Sequence, residues 1–384
     1  MKYAYGEFDG EEFPTPDSLF DTGNLMDFLL QHGEDALDAL QNMMESQEDP
    51  NIQDLIDQLI KEGMLDKDGN GKLRMTPRAV TRMQQKALEE VFKNLQRGQR
   101  EGHEKTTPGH GGERIDGTKV YQYGDPVSEV DLHQTIHNAL QRRGLPQSGQ
   151  RIAFDERDME LHLHEGLTSC STVVLIDQSG SMMRYGRYLS AKKVALAMQA
   201  LVRQRFPQDT IDFVGFYSGA QRVPEMQLPL LMPKPVTIYD STVRVRVPKD
   251  QLDAGPQHFT NLHMGLQLAR QILRRRGAEN KQIFIITDGQ PTAHVEGEFV
   301  YLLYPPDPRS TAATLKEALL CTKQDCRIAT FALVEDYWGM DWVGFVDQLA
   351  KLTKGVAFYT SSGELSNCIM ESYLAGRKTK SYLG

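Results

Sequence analysis

No apolar run in this 384-residue chain approaches the roughly 18 residues that a membrane-spanning helix needs, so no membrane partner is expected. The N-terminus is acidic and lacks a basic segment followed by an apolar core, so no secretory signal is expected either. Cysteine is scarce. Cys170, Cys321, Cys326 and Cys368 are scattered, and the Cys321 and Cys326 pair has no second pair with which to build a zinc cage. Isolated thiols of this kind fit reduced, buried residues and a cytoplasmic location. A Gly-x-x-x-x-Gly-Lys-Ser/Thr loop is missing as well, which excludes a P-loop nucleotide hydrolase.

Positive charge is nearly absent from the first part of the chain. Residues 1–71 hold 18 Asp and Glu against Lys2, Lys61 and Lys67, a balance of −15 that leaves +6 for the rest of a chain of net charge −9. An acidic face repels phosphate backbones, so nucleic acid is not an expected partner. Such asymmetry marks either a solvated acidic surface or a segment that docks on a partner or on its own chain. Arg74, Arg78, Arg82 and Lys86 are the basic residues placed to meet it.

What is present reads as an ordinary globular protein, 40% hydrophobic and 25% charged, with room for two or three domains. An acidic α-helical domain is expected over 1–97. After an extended arm, a helix from Leu25 to Glu45 is followed by one opened by Asp49-Pro50 and ended by Gly63, and by one opened by Thr76-Pro77. Between the last two, Asp66, Asp68 and Asn70 copy the first half of an EF-hand loop. Its twelfth position is Pro77 instead of a bidentate Glu, so Ca²⁺ is not expected there and a polar turn at a hairpin tip is. Glycines mark a linker over 98–117. An α+β connecting segment spans 118–167, with a strand near Val120–Tyr123, a helix through Leu132 and Ala139, and a strand pair at Arg151–Phe154 and Met159–His164. Strands and helices then alternate over 168–376, ahead of a basic tail at 377–384. The fold class expected is α/β, a doubly wound and mostly parallel Rossmann-like sheet, with the N-terminal helical domain attached.

Three segments of the alternating region carry chemistry. Asp177-Gln178-Ser179-Gly180-Ser181 follows the apolar run Val173-Val174-Leu175-Ile176. Buried parallel strands read as such runs, and open α/β sheets bind ligands at the carboxyl ends of their strands. His258-Phe259-Thr260-Asn261-Leu262 opens an amphipathic helix, so Thr260 offers a hydroxyl at a helix start. Thr287-Asp288-Gly289 follows the apolar run Ile283–Ile286 and puts a second carboxylate at another strand end. Two carboxylates and three hydroxyls form an oxygen-only set, suited to a hard cation.

This set resembles the metal-ion-dependent adhesion site of von Willebrand factor type A (VWA) domains, with all five positions present over roughly residues 168 to 376. The resemblance implies that Asp177, Ser179, Ser181, Thr260 and Asp288 hold Mg²⁺ or Mn²⁺. A partner protein's Asp or Glu would then replace water on the ion. Taken alone, the first segment would also read as a capped loop before a helix.

The helical extension, the Gly124-Asp125-Pro126 region and the C-terminal core resemble cytoplasmic bacterial and archaeal VWA proteins that work beside AAA+ ATPases of the MoxR and magnesium-chelatase kind. That resemblance implies a non-enzymatic adaptor serving a MoxR-like ATPase or its client, in protein remodelling or metal-cofactor insertion. Two alternatives stand beside it. A stand-alone VWA scaffold uses the same site without an ATPase. A Mg²⁺-dependent hydrolase has less to rest on: Ser190-Ala191-Lys192-Lys193 matches Ser-x-x-Lys without its companion segments, and three hydroxyl ligands leave no evident general base.

Overall fold

The computed structural model describes residues 22–46, 50–69, 71–96, 114–121, 130–144, 154–164, 169–278, 280–334 and 343–378. The N-terminal arm, Asn70, most of the glycine-rich segment, the Gly124-Asp125-Pro126 turn, residues 151–153 and the tail beyond 378 lie outside them. The chain forms two compact units, Met1–Gln99 with Cys170–Gly376, and Arg100–Ser169 with Arg377–Gly384. Among the described residues no helix is long and apolar enough to cross a membrane.

Helices α1 (Thr22–His32) and α2 (Glu34–Ser46) replace the single helix that periodicity predicts over Leu25–Glu45. The break falls at Gly33, whose φ is +60° and where a Cβ would stand 2.4 Å from the Leu230 carbonyl oxygen. Only glycine combines that backbone with that approach. Helix α3 (Pro50–Lys61) starts on its proline. Strands β1 (Leu65–Lys67) and β2 (Leu73–Met75) pair as an antiparallel hairpin, so the EF-hand-like stretch is its polar tip. There Asp68 accepts the Lys72 N–H at 2.9 Å and pairs with Arg74 at 3.0 Å. Helix α4 (Pro77–Gln96) is capped by Thr76, whose hydroxyl accepts the Ala79 N–H. The basic residues after the hairpin do meet the acidic segment, Arg82 at Glu62 and Lys86 at Asp27.

In the smaller unit β3 (Arg114–Val120), α5 (Leu132–Arg143) and β4 (Glu160–His164) are described. Strand β4 pairs antiparallel with β3, which begins six residues before Val120, and residues 151–153 of the strand expected beside it lie outside the described residues. Asp131 caps α5 by accepting the N–H groups of His133 and Gln134. Both His133 and His137 are exposed.

The remaining elements are β5 (Cys170–Asp177), α6 (Arg187–Arg205), β6 (Thr210–Phe216), β7 (Ala220–Val223), β8 (Val243–Pro248), α7 (Leu262–Arg274), β9 (Asn280–Thr287), β10 (Ala293–Glu296), β11 (Phe299–Tyr304), α8 (Pro308–Thr322), β12 (Cys326–Leu333), α9 (Val343–Thr353), β13 (Val356–Thr360) and α10 (Leu365–Lys378). The main sheet has the order β13-β12-β9-β5-β6-β7, parallel except for the β6–β7 pair. Side chains alternate across it. Val174, Ile176, Phe284 and Ile286 face α6 and α10, while Val173, Leu175, Ile283 and Ile285 face α7, α8 and α9. This is the expected doubly wound α/β arrangement. Strands β7, β10 and β11 and helix α10 are additions to the sequence reading. Strand β8 forms a separate antiparallel sheet of order β10-β11-β8 around Phe259, Val300 and Leu302.

Helix α6 carries more than one apolar stripe. Besides Val194, Met198, Leu201 and Val202, it buries Ala191, Ala195, Leu196, Ala197 and Ala200. Its inner side meets the sheet and its outer side meets α4, so α1–α4 share one apolar core with the sheet. A helix with apolar residues on two sides is covered on both. The polar groups at this contact are paired, Gln84 Nε2 donating to Gln199 Oε1 at 3.1 Å and to Glu225 Oε1 at 2.9 Å.

Candidate metal centre

The chain leaves β5 to one side through α6 and β6, then returns through α7 to β9 on the other side of β5. The carboxyl ends of β5 and β9 therefore flank the point where the strand order reverses, the usual place for a ligand crevice. Ile176 is paired with Ile286, so Asp177 and Thr287 end adjacent strands side by side. Thr287 Oγ1 donates to Asp177 Oδ2 at 2.6 Å, and the Ser179 N–H donates to Asp177 Oδ1 at 2.8 Å. Asp177 is fully buried. Burial, and after it the charge of Asp288, push its carboxyl upward, against the pull of its bonds from Thr287 and Ser179.

Beyond Asp177 the oxygens follow one another as a hydrogen-bonded chain. Ser179 Oγ is 3.1 Å from Ser181 Oγ, and Ser181 Oγ is 2.8 Å from Asp288 Oδ1. Neighbouring oxygens around an octahedral Mg²⁺, at about 2.0–2.1 Å from the ion, lie about 2.8–3.0 Å apart. The spacing of Ser179, Ser181 and Asp288 thus fits one edge-sharing portion of such a shell. Among the described residues no group of three or more His, Cys, Asp or Glu side chains is placed to hold a metal. Any ion here would depend on the hydroxyls, which again points to a hard cation.

Thr260 is positioned separately. Its N–H donates to Thr292 Oγ1 at 2.8 Å, and its carbonyl accepts the N–H groups of Thr292 and Ala293. This ties it to the segment that follows the Asp288 loop. It immediately precedes Asn261, which caps α7 through a 3.1 Å bond from the Met264 N–H. The Thr260 side chain makes no hydrogen bond to Ser179, Ser181 or the two carboxylates, so four of the five predicted residues form one bonded chain and the fifth stands apart from it.

Two neighbours hold the serine loop. Gln178 lies over Gly215, where a Cβ would meet its Oε1 at 2.2 Å, and its Nε2 donates to Tyr188 Oη and to the Met232 carbonyl. The segment 232–237 crosses Gly180, where a Cβ would stand 2.4 Å from Val236 Cγ2. The Lys234 N–H donates to the Gln178 carbonyl, and the Gly180 N–H to that of His258. Gly180 is therefore the residue that admits the covering segment.

Arg187 is the site residue missing from the sequence reading. Its Nη1 donates to Asp288 Oδ2 at 2.8 Å, so both oxygens of Asp288 are engaged. A signal did exist: Arg187 opens a helix, where the helix dipole disfavours a cation. Ser190 and Lys193 of the Ser-x-x-Lys match lie on α6, with Lys193 paired to Glu90 at 3.1 Å.

Comparison with known proteins bears on the same region. The family model described as "Rv0959-like protein, vWA domain" matches residues 170–374, and "Rv0959-like protein, third domain" matches 113–163. The uncharacterized protein Rv0959 of Mycobacterium tuberculosis is 28% identical over 325 residues, covering 83% of this chain and 44% of its own length. The chain thus spans less than half the length of the curated relatives it matches. Among solved structures, the PilB minor pilin from Streptococcus sanguinis aligns with a TM-score of 0.42 at 13% identity, over 61% of this chain and 68% of that one. The vWF domain of the pili tip protein Mfa5 from Porphyromonas gingivalis aligns with a TM-score of 0.37 at 15% identity, over 55% and 97%.

Proposed function

This chain belongs to the family of Rv0959-like proteins with a vWA domain, and from that premise we propose that it is a non-enzymatic, divalent-metal-dependent adaptor that binds a partner protein through an acidic residue. Asp177, Ser179, Ser181, Thr260 and Asp288 would hold Mg²⁺ or Mn²⁺. When bound, the ion supplies a Lewis-acidic position for a partner's Asp or Glu carboxylate. The observation that carries this reading is the hydrogen-bonded chain of oxygens from Ser179 through Ser181 to Asp288, spaced 3.1 and 2.8 Å at the reversal point of the sheet.

The adaptor reading also draws on how the carboxylates are occupied. Asp177 accepts from Ser179 and Thr287, and Asp288 from Ser181 and Arg187. Neither is left as a general base, which weighs against a hydrolase. The resemblance of the core and helical extension to cytoplasmic VWA proteins supports a MoxR-like AAA+ ATPase, or its client, as the partner.

The test joins metal binding to partner binding. Wild type is expected to bind Mn²⁺ with one-site stoichiometry in an electron paramagnetic resonance titration, and Ser179→Ala/Ser181→Ala to lose at least about tenfold in affinity, as loss of two ligands from one shell implies. Pull-downs from native lysate should then recover an AAA+ ATPase or its client with Mg²⁺ and wild type only. Equal recovery with EDTA, or with the double variant, would sink the metal-bridged adaptor.

A further inference from the structure

Arg187 stands where a cation is costly on several counts. It is the first residue of α6, whose N-terminal end carries partial positive charge, and the first turn of that helix holds no acidic side chain. Its side chain is only 11% exposed. Its Nε–H is buried without an acceptor among the described residues, and only its Nη1 has one, at Asp288. The turn that delivers it runs through two successive left-handed residues, Tyr185 at φ 56° and Gly186 at φ 65°. The Tyr185 ring lies 5.1 Å from the guanidinium carbon. A left-handed tyrosine is strained, and strain of this kind gathers where a fold holds a ligand.

Resting on the metal-site reading above, we propose that Arg187 is the built-in counter-charge of the site and the donor that receives the partner's carboxylate. Asp177 and Asp288 as carboxylates, with the guanidinium, give the site a charge of −1. A divalent cation takes it to +1, and one incoming carboxylate brings it to zero. Without Arg187 the loaded site would already be neutral, and a neutral ligand would serve as well as an acidic one. Arg187 lowers the hold on the ion and in exchange makes the loaded site select an anion. A guanidinium also presents planar, forked donors that match a carboxylate.

A plain structural ion pair and a counter-charge differ in what its removal does. Loss of a structural pair weakens everything the loop binds, whereas loss of a counter-charge moves ion and carboxylate affinity in opposite directions. The experiment uses the full chain with Mn²⁺ alone, followed by N-acetyl-glutamate amide titrated into the Mn²⁺-loaded protein, with the glutamine compound as control. Arg187→Gln is expected to bind Mn²⁺ on the order of tenfold tighter and the glutamate probe on the order of tenfold more weakly. Arg187→Lys keeps the charge and loses the fork, so its Mn²⁺ affinity should stay within about twofold of wild type while the probe still weakens. Unchanged or weaker Mn²⁺ binding by a cooperatively melting Arg187→Gln overturns the proposal. Should that variant not fold, an Arg187→Lys protein that binds the probe like wild type overturns it. Wild type that binds no Mn²⁺ overturns the metal reading itself, and the counter-charge with it.

Discussion

Lys192 is a lysine with no exposed surface. Its Nζ donates to the carbonyls of Pro229 and Leu231 at 2.9 and 2.8 Å and lies 5.5 Å from the centre of the Tyr188 ring. Burial pushes its amine down to about 7. An unfolded lysine titrates near 10.5, so between those values the unfolded chain holds more protons than the folded one, and stability should rise with pH through that window. The neutral amine still has two N–H groups for its two carbonyls. Urea midpoints at pH 7 and pH 8.5 should therefore rise for wild type and stay level for Lys192→Met, and a level wild-type profile would contradict this. The five candidate oxygen residues were legible as a set because each sits in a short local pattern at a strand or helix end. Lys192 was not, since what marks it is the carbonyls brought to it from residues 229–231, and Arg187 showed only as a cation at a helix start, its carboxylate partner arriving from residue 288.

Among the elements, the main-sheet strands with continuous apolar runs were readable, as were the helices opened by Pro50 and Pro77. The four-residue strands β7 and β10 were not, because they are too short to show a period. The split between α1 and α2 is instructive: the apolar spacing runs straight through Gly33, and only the approach of Leu230 from far along the chain forces the break. Gly33→Ala should accordingly be costly, combining a left-handed backbone with a Cβ at 2.4 Å from a carbonyl oxygen. Gly297 has a similar φ of +57° with nothing within 4 Å of a Cβ. Denaturant unfolding should place Gly297→Ala about 1–2 kcal/mol below wild type from the backbone alone. Gly33→Ala should fall about 1–3 kcal/mol further, as overpacking does. Equal losses would mean that the Leu230 contact yields freely.

At the scale of the larger compact unit, the acidic N-terminal helices are held to the sheet mainly through apolar side chains. The ion pair between them and α6, Lys193 with Glu90, is partly exposed, a kind of contact worth about 0–1 kcal/mol. The shared core of α1–α4, α6 and the sheet should make them open together. In native-state hydrogen exchange the amides of α4 should be protected to the same limit as those of β5, and α4 opening at a clearly lower free energy would contradict this. The sequence showed the helices and the sheet but not their union, because the further buried positions of α6 are mostly alanines. The segment 232–237 that crosses Gly180 carries a different consequence. It belongs to the stretch that includes β8, whose sheet is apart from the strands that place the candidate-site oxygens. One rim of the candidate site can thus be lengthened, shortened or rewritten by evolution while the five candidate oxygens stay where they are, so that the shape of the rim and the placing of the oxygens can be inherited separately.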